Sequence, residues 1–293
     1  MPKPPLDGVI LITGASSGIG SELARELAPR AKAIVLLARR VERLEALATE
    51  LRAGHPSLSV LVKGCDLLDR AQTDQVLGAI EAELGQVDVL INNAGFGDVS
   101  LFDLSSWEKN QRMIELNVTA LTYLTHRLLP GMVARRRGGV LQVSSGFGLQ
   151  FMPGFAAYVG TKHYVTGFTE SLRIDVASHG VAVSQLCPGP VRTEFEDNAA
   201  DFAAPEIPSW ISISAEQCAR AAVSGFQRGK AIIVPGALMK LTTLLSGMTP
   251  RAVLRLCYRP VASKLRQLQQ ASRAAAEPDR LSPEKPGETQ ALG

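Results

Sequence analysis

Seven short apolar runs, separated by longer stretches of helical periodicity, restrict the fold of this chain more than any other feature of its sequence. Each run has the length of one strand, and they cover residues 8–13, 32–38, 58–64, 87–93, 139–145, 181–187 and 231–235. The helical stretches lie near 18–29, 40–53, 69–84, 105–136, 156–179 and 214–228. Apolar strands that alternate with helices are typical of a parallel sheet covered on both faces. The sequence therefore predicts a doubly wound α/β domain of seven strands, formed by residues 1–236.

The composition fits this fold and excludes several classes of protein. Hydrophobic residues make up 46% of the 293-residue chain, which is enough for a large core, and the net charge of +3 does not suggest nucleic-acid binding. The four cysteines lie far apart and the four histidines share no ligand spacing, so no metal site is predicted. The first apolar run is too short for a signal peptide, and no run approaches the roughly 20 residues that span a bilayer. We therefore expect a cytoplasmic protein with reduced cysteines.

The chain changes character after Pro235. Residues 237–275 contain seven Lys or Arg residues and no acidic residue, which predicts a basic extension of two or three amphipathic helices. We expect breaks in these helices at 247–250 and at Pro260. Residues 276–293 are rich in Pro, Glu and Gly, a composition that predicts a disordered tail.

A glycine-rich turn, TGASSGIG at residues 13–20, follows the first predicted strand and opens the first predicted helix. Glycines let the backbone approach a pyrophosphate, and a helix N-terminus offers amide donors and a positive dipole end. An ordinary glycine-rich turn is the alternative, but the position of this one favours a dinucleotide site. The predicted contacts are Gly14, Ser16, Ser17, Gly18, Ile19 and Gly20.

The end of the second strand bears on which dinucleotide is bound. An acidic residue there would bond the ribose hydroxyls of NAD, but this sequence has Ala38 followed by Arg39 and Arg40. A guanidinium suits the 2′-phosphate of NADP, so Arg39 favours NADP(H) over NAD(H). For Arg40, a place at the start of a solvated helix is an equally good interpretation.

Tyr158 and Lys162 lie four residues apart in a predicted helix, and residues at this spacing share one face. The same stripe continues through apolar positions, and a lysine in line with the core is rarely buried without a partner. The pair is therefore either a catalytic unit or a packed tyrosine beside a lysine whose ammonium reaches solvent. The spacing alone leaves both open.

Seven motifs in a fixed order resolve this choice, because together they closely resemble the short-chain dehydrogenase/reductase family. They are TGASSGIG, CDL (65–67), NNAG (92–95), LNVTA (116–120), VSS (143–145), YVGTK (158–162) and CPGPVRTEF (187–195). The resemblance covers about residues 8–235 and implies a Rossmann-type sheet with a bound nicotinamide cofactor. It also implies a catalytic set, which falls on Asn117, Ser145, Tyr158 and Lys162. Ser145 takes the place of the family's serine, since it lies thirteen residues before Tyr158.

The chemistry of such a set can be argued from the side chains. Carbonyl reduction needs a hydride, which the cofactor supplies, and a proton, for which Tyr158 is the candidate. The ordinary pKa of tyrosine is about 10, so bringing it two or three pH units lower requires roughly 3–4 kcal/mol of phenolate stabilisation. We expect Lys162 to supply this as a nearby cation and, by resemblance, to hold the nicotinamide ribose. Ser145 would hydrogen-bond the substrate oxygen.

The resemblance assigns further contacts to the cofactor. Asp66 and Leu67 would border the adenine, although Asp66 alone is more often a helix cap. Asn117 would hold a water that links Lys162 to solvent, which is compatible with its also being a core asparagine that bonds a backbone carbonyl. The remaining predicted contacts are Asn93, Ala94, Gly95, Pro188, Gly189, Val191 and Thr193.

Apolar segments suggest the substrate. A lid is predicted after Thr193, with Phe195, Phe202, Ile207, Trp210 and Ile211, opposite the apolar stretch 146–155. These walls suit a hydrophobic carbonyl or alcohol, such as a ketone or ketoacyl compound, unless they only pack the loop. Alcohol oxidation is the alternative reaction, and a non-catalytic NADP(H)-binding sensor is a weaker one.

Two features of the sequence bear on what the protein binds besides its cofactor and substrate. The basic extension either covers the site or an oligomer partner, or lies on an anionic membrane as a peripheral contact. By resemblance, the helices within 105–136 and 156–179 form subunit interfaces, which predicts a homodimer or homotetramer.

Overall fold

A computed structural model describes residues 2–193 and 211–280, with side chains described up to residue 275. All seven predicted strands are present in one sheet, in which every neighbouring pair is parallel. They are β1 (Val9–Thr13), β2 (Ala33–Ala38), β3 (Ser59–Gly64), β4 (Val89–Asn92), β5 (Gly138–Val143), β6 (Val181–Leu186) and β9 (Ile232–Ile233). Their order is β3-β2-β1-β4-β5-β6-β9, so the direction of the crossovers reverses between β1 and β4. Ligands of such sheets bind beyond the carboxyl ends of the strands at this point.

The helices cover the sheet on both faces, as the sequence predicted. They are α1 (Gly18–Leu27), α2 (Val41–Gly54), α3 (Arg70–Leu84), α4 (Trp107–Ile114), α5 (Leu121–Ala134), α6 (Ala156–Asp175) and α7 (Ala215–Gln227). Helices α1, α2 and α7 contribute to one hydrophobic core, and α3, α5 and α6 to the other. In β1, Ile10 and Ile12 face the first core, whereas Val9 and Leu11 face the second. Burial on both sides explains why these strands are uninterrupted apolar runs.

Two local features were not predicted. The long helix expected at 105–136 contains a π-helical segment, Glu115–Ala120, between α4 and α5. Two short strands, β7 (Val191–Arg192) and β8 (Ile213–Ser214), pair in parallel as a separate sheet. With two residues each, these strands have no periodicity that a sequence pattern could reveal.

The C-terminal extension forms α8 (Ala237–Met248) and α9 (Arg251–Arg280). The predicted break at 247–250 is confirmed, but the predicted break at Pro260 is wrong, because α9 continues through it. A proline removes one hydrogen bond from a helix. Pro260 lies on an exposed part of α9, where water can bond the freed carbonyl. The helix also extends beyond residue 275, and residues 281–293 of the predicted tail lie outside the described part of the chain.

Candidate active site

Tyr158 and Lys162 lie one turn apart near the start of α6, and both are buried, with 6% and 5% of their surfaces exposed. The ammonium of Lys162 donates a 2.9 Å hydrogen bond to the carbonyl of Val143, at the end of β5. Its Nζ lies 5.7 Å from the centroid of the Tyr158 ring. The lysine is therefore held inside the protein beside the tyrosine, and its ammonium is not in solvent.

Two adjacent serines follow β5 and point in different directions. Ser145 forms a side-chain hydrogen bond with Tyr158. Ser144 donates a 3.2 Å hydrogen bond to the backbone carbonyl of Lys162 and bonds Thr166, so it fastens β5 to α6. The structure thus brings Ser145, and not Ser144, to the tyrosine, as the thirteen-residue spacing predicts.

Asn117 lies in the π-helical segment and is 1% exposed. Its side-chain amide donates to the carbonyl of Phe96 at 2.8 Å and accepts from the N–H of Phe96 at 3.1 Å. It also donates to the hydroxyl of Thr161 at 3.2 Å, one residue before Lys162. Asn117 therefore bonds a backbone carbonyl, as one of the two interpretations predicts. The part of Asn117 in a proton relay stays a prediction. A π segment often marks a functional site, and here it accompanies Asn117.

Burial shifts the pKa values of both Tyr158 and Lys162. It raises the pKa of Tyr158 to about 12, an effect that the hydrogen bond from Ser145 partly offsets. Burial also lowers the pKa of Lys162 to about 8. The expectation that Lys162 lowers the pKa of Tyr158 is therefore wrong for the protein alone. The physical reason is that burial desolvates the phenolate, and the hydrogen bond from Ser145 offsets only part of this cost.

The glycine-rich turn is held against the strand beside it. Asn93 donates from its side-chain amide to the carbonyls of Thr13 and Gly14, at 3.0 and 3.2 Å. Gly14 and Gly18 have positive φ angles of 66° and 59°, which favour glycine. A Cβ on Gly14 would lie 2.9 Å from the Cα of Ala94, so the turn and the NNAG segment are in close contact.

The first helix begins in a way that fits a bound phosphate. Ser17 is its N-cap residue but makes no side-chain capping hydrogen bond. By contrast, Asp69, Ser106 and Ser214 cap α3, α4 and α7 with their side chains. The first amides of α1 therefore keep their donor capacity for an anion, and the glycines leave room beside them. These residues fit the pyrophosphate of a dinucleotide cofactor.

The arginine that contacts this turn is Arg40, and not Arg39, which the sequence favours. It donates to the hydroxyl of Ser17 at 2.7 Å and to that of Ser16 at 3.2 Å. Arg39 is exposed next to it, and Ala38 ends β2 without a carboxylate. No pattern distinguishes the two arginines in the sequence, because the choice depends on the direction in which the chain leaves β2.

The other predicted cofactor contacts line the same edge of the sheet. Asp66 accepts a 3.1 Å hydrogen bond from the N–H of Leu68, whereas Asp69 is the residue that caps α3. The helix-cap interpretation of Asp66 is therefore wrong. Beyond β6, Pro188 accepts a 2.7 Å hydrogen bond from the N–H of Gly146. A Cβ on Gly18 would lie 3.1 Å from the Cγ2 of Thr193, so Thr193 adjoins the glycine-rich turn. The remaining predicted contacts follow the carboxyl ends of β3, β4 and β6 in the chain: Leu67, Ala94, Gly95, Gly189 and Val191.

Met239 of α8 is a residue of the site that the sequence did not reveal. It touches Gly146 and Gly189, since a Cβ on Gly189 would lie 2.8 Å from its sulfur and a Cβ on Gly146 would overlap its methyl group. The C-terminal extension therefore reaches the residues next to Ser145. Most of the predicted lid, including Phe195, Phe202, Ile207 and Trp210, lies outside the described residues.

Within residues 2–193 and 211–280, no group of three His, Cys, Asp or Glu side chains could hold a metal ion. His163 is exposed and bonds the carbonyl of Val159 on its own helix. None of the helices that the structure describes has the length and apolar character needed to cross a bilayer.

Comparison with known proteins agrees with this geometry. A family model described as short chain dehydrogenase matches residues 8–203, which is more than half of the chain. The chain belongs to the short-chain dehydrogenase family. It is therefore an NAD(P)-dependent oxidoreductase that acts on CH–OH groups.

Several members of the family are similar to this chain in sequence. The human protein named Dehydrogenase/reductase SDR family member 7 is 37% identical over 196 residues, 66% of this chain and 58% of that protein. The chain thus matches less than two thirds of that relative. The NADP-dependent 3-hydroxy acid dehydrogenase YdfG of Salmonella typhi is 34% identical over 189 residues, 64% of this chain and 74% of that protein.

Two solved structures of short-chain dehydrogenases are similar in fold. One, from Sphingobium yanoikuyae in complex with NADPH, has a TM-score of 0.71 and 27% identity, and covers 97% of this chain and 99% of its own. That coverage takes in the C-terminal extension. The other, the bulky-bulky ketone specific alcohol dehydrogenase from Comamonas testosteroni, has a TM-score of 0.68 and 26% identity, covering 86% and 96% of the two chains.

Proposed function

We propose that this dehydrogenase uses NADPH to reduce the carbonyl group of a hydrophobic ketone or ketoacyl compound to an alcohol. The observation that carries the proposal is the buried cluster of Ser145, Tyr158 and Lys162 at the carboxyl end of β5. Burial keeps Tyr158 protonated at neutral pH, because its pKa is raised to about 12. A protonated tyrosine that is hydrogen-bonded to a serine is equipped to donate a proton to an oxygen placed between them.

The residues of the chain act on the substrate oxygen. NADPH, when bound, supplies a hydride to the carbonyl carbon. Ser145 donates a hydrogen bond to the carbonyl oxygen and directs it toward Tyr158. As negative charge develops on that oxygen, the Tyr158 hydroxyl transfers its proton to it and becomes a phenolate. Lys162, 5.7 Å from the ring centroid, stabilises the phenolate as a cation until solvent returns the proton.

The preference for NADPH rests on charge at the end of β2. Arg40 is bonded to Ser16 and Ser17 of the glycine-rich turn, and Arg39 is exposed beside it. A guanidinium there can pair with the 2′-phosphate, and Ala38 provides no carboxylate for an NAD ribose. The similar structure from Sphingobium yanoikuyae contains NADPH, which supports this choice.

Aromatic and apolar side chains around Tyr158 support a hydrophobic substrate. The ring of Phe147 meets that of Tyr158 edge-on at 6.2 Å between centroids, and Phe155 lies 6.4 Å away. Met239 contributes a further apolar wall next to Ser145. Apolar walls with a few polar groups at the reacting centre suit an uncharged carbonyl compound. The similar Comamonas testosteroni enzyme is named for bulky ketones, in agreement with this proposal.

Alcohol oxidation is the second candidate, because the same residues can run the reaction in reverse. Two similar proteins are named for it, the serine 3-dehydrogenase of Agrobacterium fabrum and the 3-hydroxy acid dehydrogenase of Salmonella typhi. A non-catalytic sensor is disfavoured, since it has no use for a buried serine, tyrosine and lysine beside one another.

The proposed function is tested by NADPH oxidation with a panel of carbonyl compounds: ketoacyl thioesters, steroids, aromatic ketones and aldehydes, with charged sugars as the contrast. We expect turnover with one of the hydrophobic classes, at a higher kcat/KM with NADPH than with NADH. Turnover only of charged sugars, or equal kcat/KM with the two cofactors, contradicts the proposal. The Tyr158→Phe variant is the control for contaminating enzymes.

We also propose that the enzyme is a homodimer or homotetramer through α4 and α6. Trp107 and Ile114 are exposed there, at 62% and 41%, beside a hollow of about 490 Å³ that Ala156, Ala157 and Gly160 help to line. Small residues on α6 let a second helix approach closely. Analytical ultracentrifugation should give a dimer or tetramer that Trp107→Glu dissociates, and a monomeric wild type contradicts the proposal.

A further inference from the structure

Helix α8 carries its apolar side chains on the face that points away from the protein. Leu241, Leu244, Leu245 and Met248 are 52%, 61%, 54% and 75% exposed. The opposite side carries Met239 and Thr243, and Thr243 accepts a 3.0 Å hydrogen bond from the side-chain amide of Gln150. A surface helix of a globular protein normally turns its apolar stripe inward. The outward stripe of α8 therefore contributes nothing to the core of this chain.

The first half of α9 continues the exposed apolar surface. Val253 and Leu256 are 47% and 63% exposed, whereas Leu265 and Gln269, further along the helix, are buried. We call the exposed set the docking face and define it as Leu241, Leu244, Leu245, Met248, Val253 and Leu256. The four residues of α8 stand at i, i+3, i+4 and i+7 and therefore share one helix face, and an exposed apolar patch of this kind marks a place where another apolar body is bound.

The extension is fixed to the body of the enzyme, so the docking face is presented in one orientation. Arg266 pairs with both carboxylate oxygens of Asp103, at 2.7 and 3.0 Å. Gln269 accepts a 3.1 Å hydrogen bond from the N–H of Leu101, and the ring of Tyr258 meets that of Phe151 at 5.8 Å. These contacts all use the inner side of α9, and they leave the docking face uncovered by the described residues.

The charged residues of the segment that carries the docking face all have one sign. Residues 237–275 contain seven cations and no acid. Two of the cations, Arg266 and Arg273, bond the segment at 103–104 of the body. The other five are exposed, and within the part of the chain that the structure describes none of them pairs with a carboxylate: Lys240, Arg251, Arg255, Arg259 and Lys264.

We propose that the docking face binds the surface of an anionic phospholipid bilayer, with its leucines among the upper acyl chains and the five free cations at the headgroups. An exposed apolar stripe in a segment that also carries unpaired cations is complementary to such a surface, and each cation near it adds to the attraction. A second copy of this chain is the poorer occupant, because pairing two docking faces would bring ten like charges together. None of the helices that the structure describes is long and apolar enough to cross a bilayer, so the docking face would lie on the bilayer surface.

Docking in this orientation has a consequence for the site. Helix α8 contacts the bilayer with one side, while Met239 on its other side touches Gly146 and Gly189. An apolar compound dissolved in the bilayer would then reach the site along α8. This consequence rests on the proposed function, whereas the docking itself does not.

The experiment is co-sedimentation of the full-length protein with vesicles, and it needs no substrate or turnover. One set of vesicles contains equal parts of phosphatidylcholine and phosphatidylserine, and the other contains phosphatidylcholine alone. We expect wild type to sediment with the anionic vesicles at least ~10-fold more strongly than with the neutral ones, and added salt to weaken this binding.

Two variants and a matched control locate the binding. Leu241→Ser with Leu245→Ser removes apolar side chains that are exposed, and Arg255→Glu with Arg259→Glu reverses two free cations. Both variants should lose at least ~10-fold of the vesicle binding while melting like wild type. The control, Arg30→Glu with Arg228→Glu, reverses two exposed charges in the turns that follow α1 and α7 and should bind like wild type.

Three results overturn the proposal. Wild type that stays in the supernatant with anionic vesicles shows no docking, and variants that sediment like wild type show docking elsewhere. A solution mass that is multimeric in wild type and monomeric in the Leu241→Ser, Leu245→Ser variant identifies the docking face as a contact between copies. If the carbonyl panel gives no turnover, the vesicle binding and the solution mass are still measured as before. A wrong proposed function can therefore be distinguished from a wrong docking proposal.

Discussion

The ammonium nitrogen of Lys162 lies 5.7 Å from the centroid of the Tyr158 ring, with both side chains buried at the start of α6. Burial acts on the two groups in opposite directions, since it raises the pKa of Tyr158 to about 12 and lowers the pKa of Lys162 to about 8. At neutral pH the tyrosine keeps its proton and the lysine keeps most of its charge. This combination suits a reaction in which Tyr158 gives a proton away beside a cation.

Tyr158→Phe should lower kcat for carbonyl reduction by about 10²–10⁴-fold, because it removes the proton donor and keeps the ring that packs on Phe147. The affinity for NADPH, measured by fluorescence titration, should not change. Tyr164→Phe is the matched control, since Tyr164 is an exposed tyrosine of the same helix that bonds Thr122. Turnover of Tyr158→Phe at the level of Tyr164→Phe removes the tyrosine from the mechanism.

The two directions of the reaction should depend on pH in opposite ways. Reduction needs protonated Tyr158 and charged Lys162, so kcat should fall above a pH of about 8, where Lys162 loses its proton. Tyr158, with a pKa of about 12, stays protonated through that range and does not cause the fall. Oxidation needs Tyr158 to accept a proton, so its rate should rise as the pH increases toward alkaline values. Steady-state kcat against pH in both directions checks this, and profiles of the same slope contradict it.

Lys162 should also make the stability of the fold depend on pH. Its pKa in the folded protein is lowered from 10.5 to about 8, so between these values the unfolded chain binds more protons. The free energy of unfolding therefore rises with pH through this window, by roughly 3 kcal/mol in full. Lys162→Met should lack the rise and be more stable than wild type at neutral pH, while losing turnover.

Urea unfolding over a series of pH values measures this free energy of unfolding. The series should end near pH 10, because above that pH the ionisation of Tyr158 lowers the free energy of unfolding. The raised pKa of Tyr158 means that its contribution to stability is present below pH 10 and is lost as the pH rises toward about 12. Parallel curves for wild type and Lys162→Met contradict the prediction.

The sequence predicted the sheet well because its signal is local. Leu11 and Ile12 are both fully buried although they face opposite sides of β1, and burial on both sides gives an unbroken apolar run. The same holds for the glycine-rich turn and for Ser145, whose spacing from Tyr158 follows from the length of one loop and half a turn of α6. Family motifs carry such local geometry from one chain to the next.

Features that depend on distant contacts could not be predicted. Met239 reaches Gly146 only because α8 folds back over the end of β5, and no periodicity in residues 237–248 reports that contact. The sequence predicts a helix break at Pro260, but α9 tolerates this proline because it lies on an exposed part of the helix, which the sequence does not reveal. The predicted fall in the pKa of Tyr158 is wrong because burial raises it, and the depth of burial depends on distant residues that the spacing of Tyr158 and Lys162 does not describe.

Arg40→Ala should raise the Kd for NADPH by about 10-fold or more and leave that for NADH almost unchanged, because a charge-assisted contact to the 2′-phosphate is lost. Arg39→Ala, measured in parallel, shows how the two exposed arginines share this contact. Arg52→Ala is the control, since Arg52 lies near the other end of α2 and bonds the carbonyl of Val60. Equal loss of NADPH and NADH affinity in Arg40→Ala would mean that it only supports the turn through Ser16 and Ser17.

Met239→Trp should reduce the space next to Ser145 and so change which substrates are accepted. The Met239 side chain touches Gly146 and Gly189, so a larger ring at this position would take up space beside Ser145. We expect kcat/KM for bulky ketones to fall by about 10-fold or more, mainly through KM, while small ketones are affected little. Met239→Ala should shift the preference toward bulky ketones.

Met248→Trp controls for the added indole, since Met248 lies on the same helix and is 75% exposed. It should leave the ratio of kcat/KM for bulky and small ketones as in wild type. A Met239→Trp enzyme with an unchanged ratio would show that the substrate does not contact α8, and that Met239 only packs the extension onto Gly146. A changed ratio that reverses in Met239→Ala assigns to the C-terminal extension a direct part in substrate selection.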